Sequence, residues 1–227
     1  MDAIACYLGK DPIDVRKANF YGKKSRNVTP YQMTVEDNIA PEIVAELEKS
    51  SDYAARRKAI RAFNETSPYL KKGIALTPVK FGISFTATHL NQAGALLHVY
   101  TDGSVMINHG GIEMGQGLYI KVAQVVAEIL QIDIERVKIT ATRTDKVPNT
   151  SATAASSGAD INGKAAAAAA IAIKERLTKF AAEYYGTKLT NITFLPNRIR
   201  VGNQVVSFRD LVQLAYMSRI SLSVTGF

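Results

Sequence analysis

At 227 residues the chain is long enough for one large or two modest domains with their own cores. Its 47% hydrophobic content and mean hydropathy of −0.02 exclude both a disordered and a membrane-embedded class. No apolar run approaches the roughly 20 residues that span a bilayer, and Met1-Asp2-Ala3-Ile4-Ala5 is no signal peptide, so a cytoplasmic location is expected. The formal charge of +8 would attract acidic partners. Its clusters, Arg16 to Arg26 and Arg56 to Lys72, read as solvated faces without an RNA motif or helix-turn-helix, so no nucleic-acid or membrane partner is expected. Cys6, the single cysteine, has no internal disulfide partner and is expected to be a small buried apolar residue.

Residues 1–66 read as helical. Asp11-Pro12 is an N-cap followed by proline at the first helical position, and Pro41 opens a second helix carrying Ile43, Val44 and Leu47. Ser50-Ser51-Asp52 caps a further helix over Tyr53, Ala59, Ile60 and Phe63. From Lys72 the period shifts toward two, and Gly73 to Pro78 and Phe81 to Thr86 read as strands. Two further strands, Ala95 to Tyr100 and Val105 to His109, flank Asp102-Gly103. With those two as the loop, Thr101 faces Ser104, His98 faces Ile107, and His98 and His109 share a face. Two histidines so placed could begin a metal site, but no third ligand is apparent.

Next comes His109-Gly110-Gly111-Ile112-Glu113-Met114-Gly115-Gln116-Gly117, a glycine-rich elbow between strand and helix. Its glycines allow close approach of a ligand to bare amides, and a helix starting at or just after Gln116 adds its dipole, which suits a phosphate or oxygen-rich head group. A tight connection whose glycines serve only the turn is the competing reading. Leu118, Val122, Val125, Val126, Ile129 and Leu130 then mark a core-facing helix, and Val137 to Thr142 a strand, so a helix packs on one face of a mixed or antiparallel sheet. Val147 to Asp160 has almost no bulky side chain. Such a stretch fits a wall for a flat ligand or, equally, close helix packing. The alanine-rich helix that follows extends to about Tyr185 with Gly186 as C-cap. Thr190 to Phe194 and Ile199 to Val206 read as a small hairpin, Phe208 to Met217 as a helix, and Ser221 to Phe227 as a strand that stops like an interrupted chain.

With both small-residue stretches in view, the chain resembles the molybdenum-binding part of the xanthine dehydrogenase and aldehyde oxidase family, with the bacterial xanthine dehydrogenases nearest. The matching runs are Lys80 to Thr86, Leu90 to Ala95, His98 to Ser104, Gly115-Gln116-Gly117, Val147 to Ser156 and Asn162-Gly163. The resemblance implies an α+β fold with mixed or antiparallel sheets and helices packed on one face. It divides the chain into a helical segment, residues 1–72, and an α+β part, residues 73–227. It also implies a molybdenum-molybdopterin cofactor that inserts a water-derived oxygen into a purine or aldehyde C–H bond. By position, Phe85, Thr86 and Ala154 match substrate contacts. Gly115, Gln116, Gly117, Ala154, Ala155, Ser156 and Ser157 match cofactor contacts, and Ala155 lies next to molybdenum through its backbone.

Ile112 stands where the family commonly has threonine, and Tyr119-Ile120 where it commonly has His-Thr. The family's Phe-Gly-Gly-Lys-Glu, Phe-Arg-Gly-Phe-Gly and Gly-Glu-Pro-Pro segments have no counterpart here. The last carries the general-base glutamate, expected C-terminal to Phe227, so no catalytic residue is assigned and Glu113 is read as a local structural contact. The chain is therefore expected to be an internal piece of a molybdenum subunit, inactive alone. The implied partners are iron–sulfur and FAD domains or subunits, not bound by this chain, and a second copy of the full complex. An aldehyde oxidase-type hydroxylase is the alternative. From another class, a cofactor-free interaction or nucleic-acid module would be revealed by salt-dependent binding.

Overall fold

A computed structural model describes residues 1–143, 145–146 and 150–227, and the chain divides into two compact units, Met1–Phe81 and Gly82–Phe227. The first holds helices α1 (Asp2–Tyr7), α2 (Pro12–Ala18), α3 (Ala40–Ser50) and α4 (Tyr53–Thr66). Asp11 caps α2 as expected, its carboxylate accepting the Ile13 N–H at 3.1 Å. It also accepts the Tyr53 hydroxyl at 3.1 Å and pairs with Arg57, so one side chain ties α2 to α4. Ile13, Val44 and Tyr53 form the small core of this unit, with Phe20, Ile74 and Leu76 packed against it.

Three expectations need correction here. Cys6 is exposed, while its neighbour Ala5 is the buried residue of α1. Gly73 to Pro78 forms no strand: Ile74 and Leu76 alternate onto the helical core, but no neighbouring strand takes up their backbone groups. Phe81 to Thr86 forms none either, because Ser84 sits in the left-handed region at φ 71° and breaks the extended run.

The second unit is built on a four-stranded mixed sheet in the order β3-β2-β1-β7, with β1 Ala95–Val99, β2 Val105–His109, β3 Val137–Ile139 and β7 Ser223–Gly226. β1 runs antiparallel to β2 and β7, and β2 runs parallel to β3. The parallel pair requires a crossover, which α5 (Leu118–Leu130) supplies. A small antiparallel meander follows: β4 (Ile192–Leu195), β5 (Arg198–Val201) and β6 (Gln204–Ser207). It replaces the expected hairpin because Gly202, at φ 58°, turns the chain inside the run from Ile199 to Val206. Helix α7 (Phe208–Met217) begins at Ser207, whose hydroxyl accepts the Asp210 N–H.

The register of the first hairpin differs by one residue from the sequence reading. Tyr100 N–H donates to Ser104 O and Gly103 N–H to Tyr100 O, both at 2.9 Å, which closes a three-residue loop with Gly103 at φ 80°. His98 therefore opposes Met106, and His109 opposes Ala95. Since side chains alternate along a strand, the single step puts the two histidines on opposite faces. The two histidines therefore do not form a metal pair, and among the described residues no cluster of three or more metal-ligating side chains exists.

One sheet face, carrying Leu97, Val105 and Ile107, is buried under α5 and α6 (Gly158–Tyr184). Helix α6 brings Ala165, Ala166, Ala169 and Ala170 into this core, and its small side chains let the backbone lie close on β7. A Cβ on Gly226 would stand 2.0 Å from the Ala165 carbonyl oxygen. The helix ends at Tyr184 with Tyr185 as C-cap, one residue before the expected Gly186, and Gly186 at φ 63° and Thr187 donate to Glu183 and Ala182, a Schellman closure. Among the described residues no helix is long and apolar enough to cross a membrane.

Candidate functional site

The elbow leaves β2 and enters α5 at Leu118, two residues later than the earliest expected start at Gln116. Gly115 and Gly117 occupy positive φ, 95° and 74°, so these two positions need glycine for the turn itself. Gly110 and Gly111 are there for space instead: a Cβ would meet Thr150 at 2.2 Å in the first case and Leu118 at 2.6 Å in the second. Glu113 closes the elbow on itself. Its carboxylate accepts N–H groups from Gly115 at 2.9 Å, Gly117 at 3.0 Å and Tyr119 at 3.1 Å, and so caps the first turn of α5. These bonds, that from Tyr119 foremost, hold its carboxyl below the usual carboxylate range. Gln116 is likewise anchored, Nε2 donating to Ile112 O at 2.8 Å and Oε1 accepting the Met114 N–H at 2.6 Å. Each end of that amide retains bonding capacity.

The second small-residue stretch folds into a turn. Ala155 and Ser156 are consecutive left-handed residues, both at φ 54°. Ser157 N–H donates to Ala154 O at 3.3 Å across them. Two non-glycine residues in this region cost on the order of 1–2 kcal/mol each, and such strain collects at ligand-binding turns. The turn delivers the chain into α6, a 27-residue helix whose first amides receive no side-chain cap from Ser157. Uncapped amides and the positive helix end make this an anion-binding position. Thr153 joins the turn to the elbow, its hydroxyl accepting the Ile112 N–H at 2.8 Å.

Elbow and turn face one cavity of about 490 Å³, lined by Met114, Gln116, Leu118 and Lys121 on one side and by Thr153, Ala154, Ala155, Ser156, Gly158 and Ala159 on the other. Of the residues singled out from the sequence, Gln116, Ala154, Ala155 and Ser156 are brought together. Gly115 and Gly117 shape the turn behind Gln116 without lining the cavity. Ser157 is buried, with its hydroxyl donating to Ala154 O at 3.1 Å. Phe85 and Thr86 also lie outside the lining, half-buried and exposed respectively. Their segment is nevertheless fastened beside it. Ser84 N–H donates to Ala155 O at 2.9 Å, and the Asn91 amide bonds both the N–H and the C=O of Phe85 at 2.8 Å. Val147, Pro148 and Asn149, part of the matching run, lie outside the described residues.

Sequence reasoning missed Lys121. It sits one turn into α5, its N–H bonded to Gly117 O at 3.1 Å, and it adds a basic residue to the lining of the cavity that also holds the start of α6. The signal was present as the fourth residue after the last elbow glycine, but the apolar stripe of α5 drew the reading toward the core.

Residues 46–227 match the family model described as the molybdopterin cofactor-binding domain. The chain belongs to that family. It is 42% identical over 224 residues to a xanthine dehydrogenase of Calliphora vicina, covering 99% of this chain and 15% of that protein. It is 40% identical over 229 residues to a nicotinate hydroxylase of Emericella nidulans, covering 100% of this chain and 16% of that protein. The chain thus spans about 15% of the length of the curated relatives it matches. The fold of the quinoline 2-oxidoreductase of Pseudomonas putida 86 superposes with a TM-score of 0.82 at 20% identity, covering 99% of this chain and 31% of that one. The cavity suits the family's cofactor by its own chemistry. The first amides of α6, an amide side chain and a lysine suit a group carrying a hydrogen-bonding pterin and a phosphate, whereas the elbow glycines serve the turn and its packing and the amides of Gly111, Gly115 and Gly117 are spent within the elbow.

Proposed function

We propose that this chain forms one wall of the molybdopterin and substrate pocket of a molybdenum hydroxylase acting on purines, with hypoxanthine and xanthine as substrates and urate as the end product. The observation that carries the reading is the single cavity onto which Gln116 and the Ala154–Ser156 turn converge from opposite walls, about 40 residues apart in sequence.

In this reading the bound molybdenum centre supplies a two-electron oxidation that replaces a substrate C–H bond with a C–O bond whose oxygen comes from water. The chain's own residues bind and orient. Gln116 offers its remaining amide capacity to the pterin, with Gly115 and Gly117 holding it in place. The backbones of Ala154 and Ala155 edge the metal centre and the substrate. Ser156, with Ser157 and the first amides of α6 behind it, receives the phosphate-bearing end, and Lys121 balances that charge. Phe85 stacks on the planar heterocycle and Thr86 contacts it, both carried on the Asn91-clamped segment. Glu113 is not the general base in this reading, since its oxygens already accept the N–H groups of Gly115, Gly117 and Tyr119. Iron–sulfur and FAD modules accept the electrons.

The test is to purify the full-length enzyme from a host that makes molybdopterin, measure bound molybdenum and pterin, and assay xanthine, hypoxanthine, nicotinate and an aldehyde with an artificial electron acceptor. Stoichiometric cofactor and preferred turnover of the two purines are expected. Because a nicotinate hydroxylase is about as similar as the xanthine dehydrogenases, preferred turnover of nicotinate would replace the purine assignment, and an enzyme without molybdopterin would overturn the cavity reading.

A further inference from the structure

Beneath the elbow lies a polar layer that does not reach the cavity. His109, at the end of β2, is 1% exposed, and its Nδ1 accepts the Gly111 N–H at 3.1 Å. That bond fixes the neutral tautomer, with the proton on Nε2. The Nε2 has no partner among the described residues. A buried imidazole whose Nε2 N–H meets no partner among the described residues carries a cost that a leucine or phenylalanine of the same volume would not.

The Gly111 peptide is held at its other end too. The Thr142 hydroxyl lies within donor reach of Gly111 O at 2.9 Å and of His109 O at 3.2 Å, and with its proton held by these carbonyls it accepts the Tyr119 hydroxyl at 3.1 Å. The Tyr119 ring meets the His109 ring edge-on, with centroids 5.3 Å apart and planes at 83°. The N–H and the C=O of one glycine are therefore gripped by side chains that brace each other. The next residue, Ile112, donates its N–H to Thr153 on the opposite cavity wall.

We propose that His109 is a positioning residue for the molybdopterin cradle: its Nδ1 holds the Gly111 residue and, through the Ile112–Thr153 bond, sets the spacing of the two cavity walls. The assignment rests on the molybdopterin reading of that cavity. Desolvation by burial pushes the imidazole below its ordinary range, so near neutral pH the ring stays uncharged and Nδ1 remains an acceptor.

The experiment compares the full-length enzyme with His109→Asn, His109→Phe and Thr142→Val, all purified from a molybdopterin-producing host. Asparagine places an oxygen near the position of Nδ1. Phenylalanine keeps a ring against Tyr119 but cannot accept, and valine releases the Gly111 carbonyl at constant shape. Pterin and molybdenum per protein, the rate of cofactor loss on dilution and the melting midpoint are read for each. His109→Phe is expected to lose cofactor about tenfold faster, the scale of an outer-sphere support removed, and Thr142→Val to follow it in direction. His109→Asn is expected to stay within about twofold of the parent, even where its melting midpoint lies below that of His109→Phe. Parental retention in His109→Phe, or cofactor content that simply tracks the melting midpoint across the series, overturns the positioning role. If neither histidine variant folds, parental retention in Thr142→Val overturns it equally. A parent enzyme without molybdopterin removes the cavity reading and this assignment together, whereas a loaded parent with an indifferent phenylalanine variant removes only the latter.

Discussion

Glu113 is the one carboxylate in the elbow, and its geometry decides between catalysis and support. Three backbone N–H groups of the elbow and the first turn of α5 occupy its oxygens, so Glu113→Gln in the full enzyme should lower the melting midpoint yet leave turnover within about tenfold. Loss of a general base would cost roughly 10²–10⁴-fold, and steady-state kinetics would show it. His109 gives a pH dependence of the chain itself. Its folded pKa lies below the ordinary value of about 6.5, so the unfolded chain takes up the proton first. The neutral ring's contribution is therefore complete above about pH 6.5 and is lost as pH falls from there toward the folded value. Melting midpoints measured across that interval should fall less steeply in His109→Asn, which cannot titrate. Neither role was legible in full from sequence. The type of Glu113 and its place before a helix pointed to a local contact, but the burial of His109 hung on a hairpin register that Asp102-Gly103 left one residue open.

At the scale of elements, the amphipathic helices and the glycine punctuation were readable because they are written locally, in a 3.6-residue stripe or a required positive φ. The extended segments were not, since a strand exists only where another strand meets it, and the run from Gly73 to Pro78 meets none. The cavity turn was visible as a lack of bulk, yet nothing in Ala154-Ala155-Ser156-Ser157 announces two left-handed residues. Ala155→Gly should relieve that strain and raise the unfolding free energy of the chain by up to about 1 kcal/mol, read by denaturant unfolding. In the full enzyme the same change should loosen the turn and hasten cofactor loss, a trade of activity against stability. Gly226→Ala tests the opposite case. With Ala165 O only 2.0 Å from the added carbon, β7 and α6 must separate, which should cost about 1–3 kcal/mol in the same unfolding assay.

Over the whole molecule, the two units differ in how much they bury. The second has an extended core around Leu97, Ile107, Leu130 and Ile173. In the first, Tyr7 is 91% and Tyr69 92% exposed, and its core centres on Ile13, Val44 and Tyr53. The 227-residue chain made alone in a molybdopterin-producing host is therefore expected to retain little molybdenum and to show no hydroxylation of xanthine or aldehydes. Metal analysis and an assay with an artificial acceptor check this, and stoichiometric metal with turnover would refute it. One further consequence follows from the pairing of β1 with β7, whose bonded side chains His98 and Ser223 stand 125 residues apart. On the ribosome, β2, the elbow and α6 all emerge before the strand that completes β1's hydrogen bonding. Until residues 223–226 have been made, one edge of β1 offers its amides and carbonyls to any extended segment within reach. Synthesis that stalls within this interval would expose a sheet edge able to recruit other nascent chains, and only the arrival of Gly226 against α6 withdraws it.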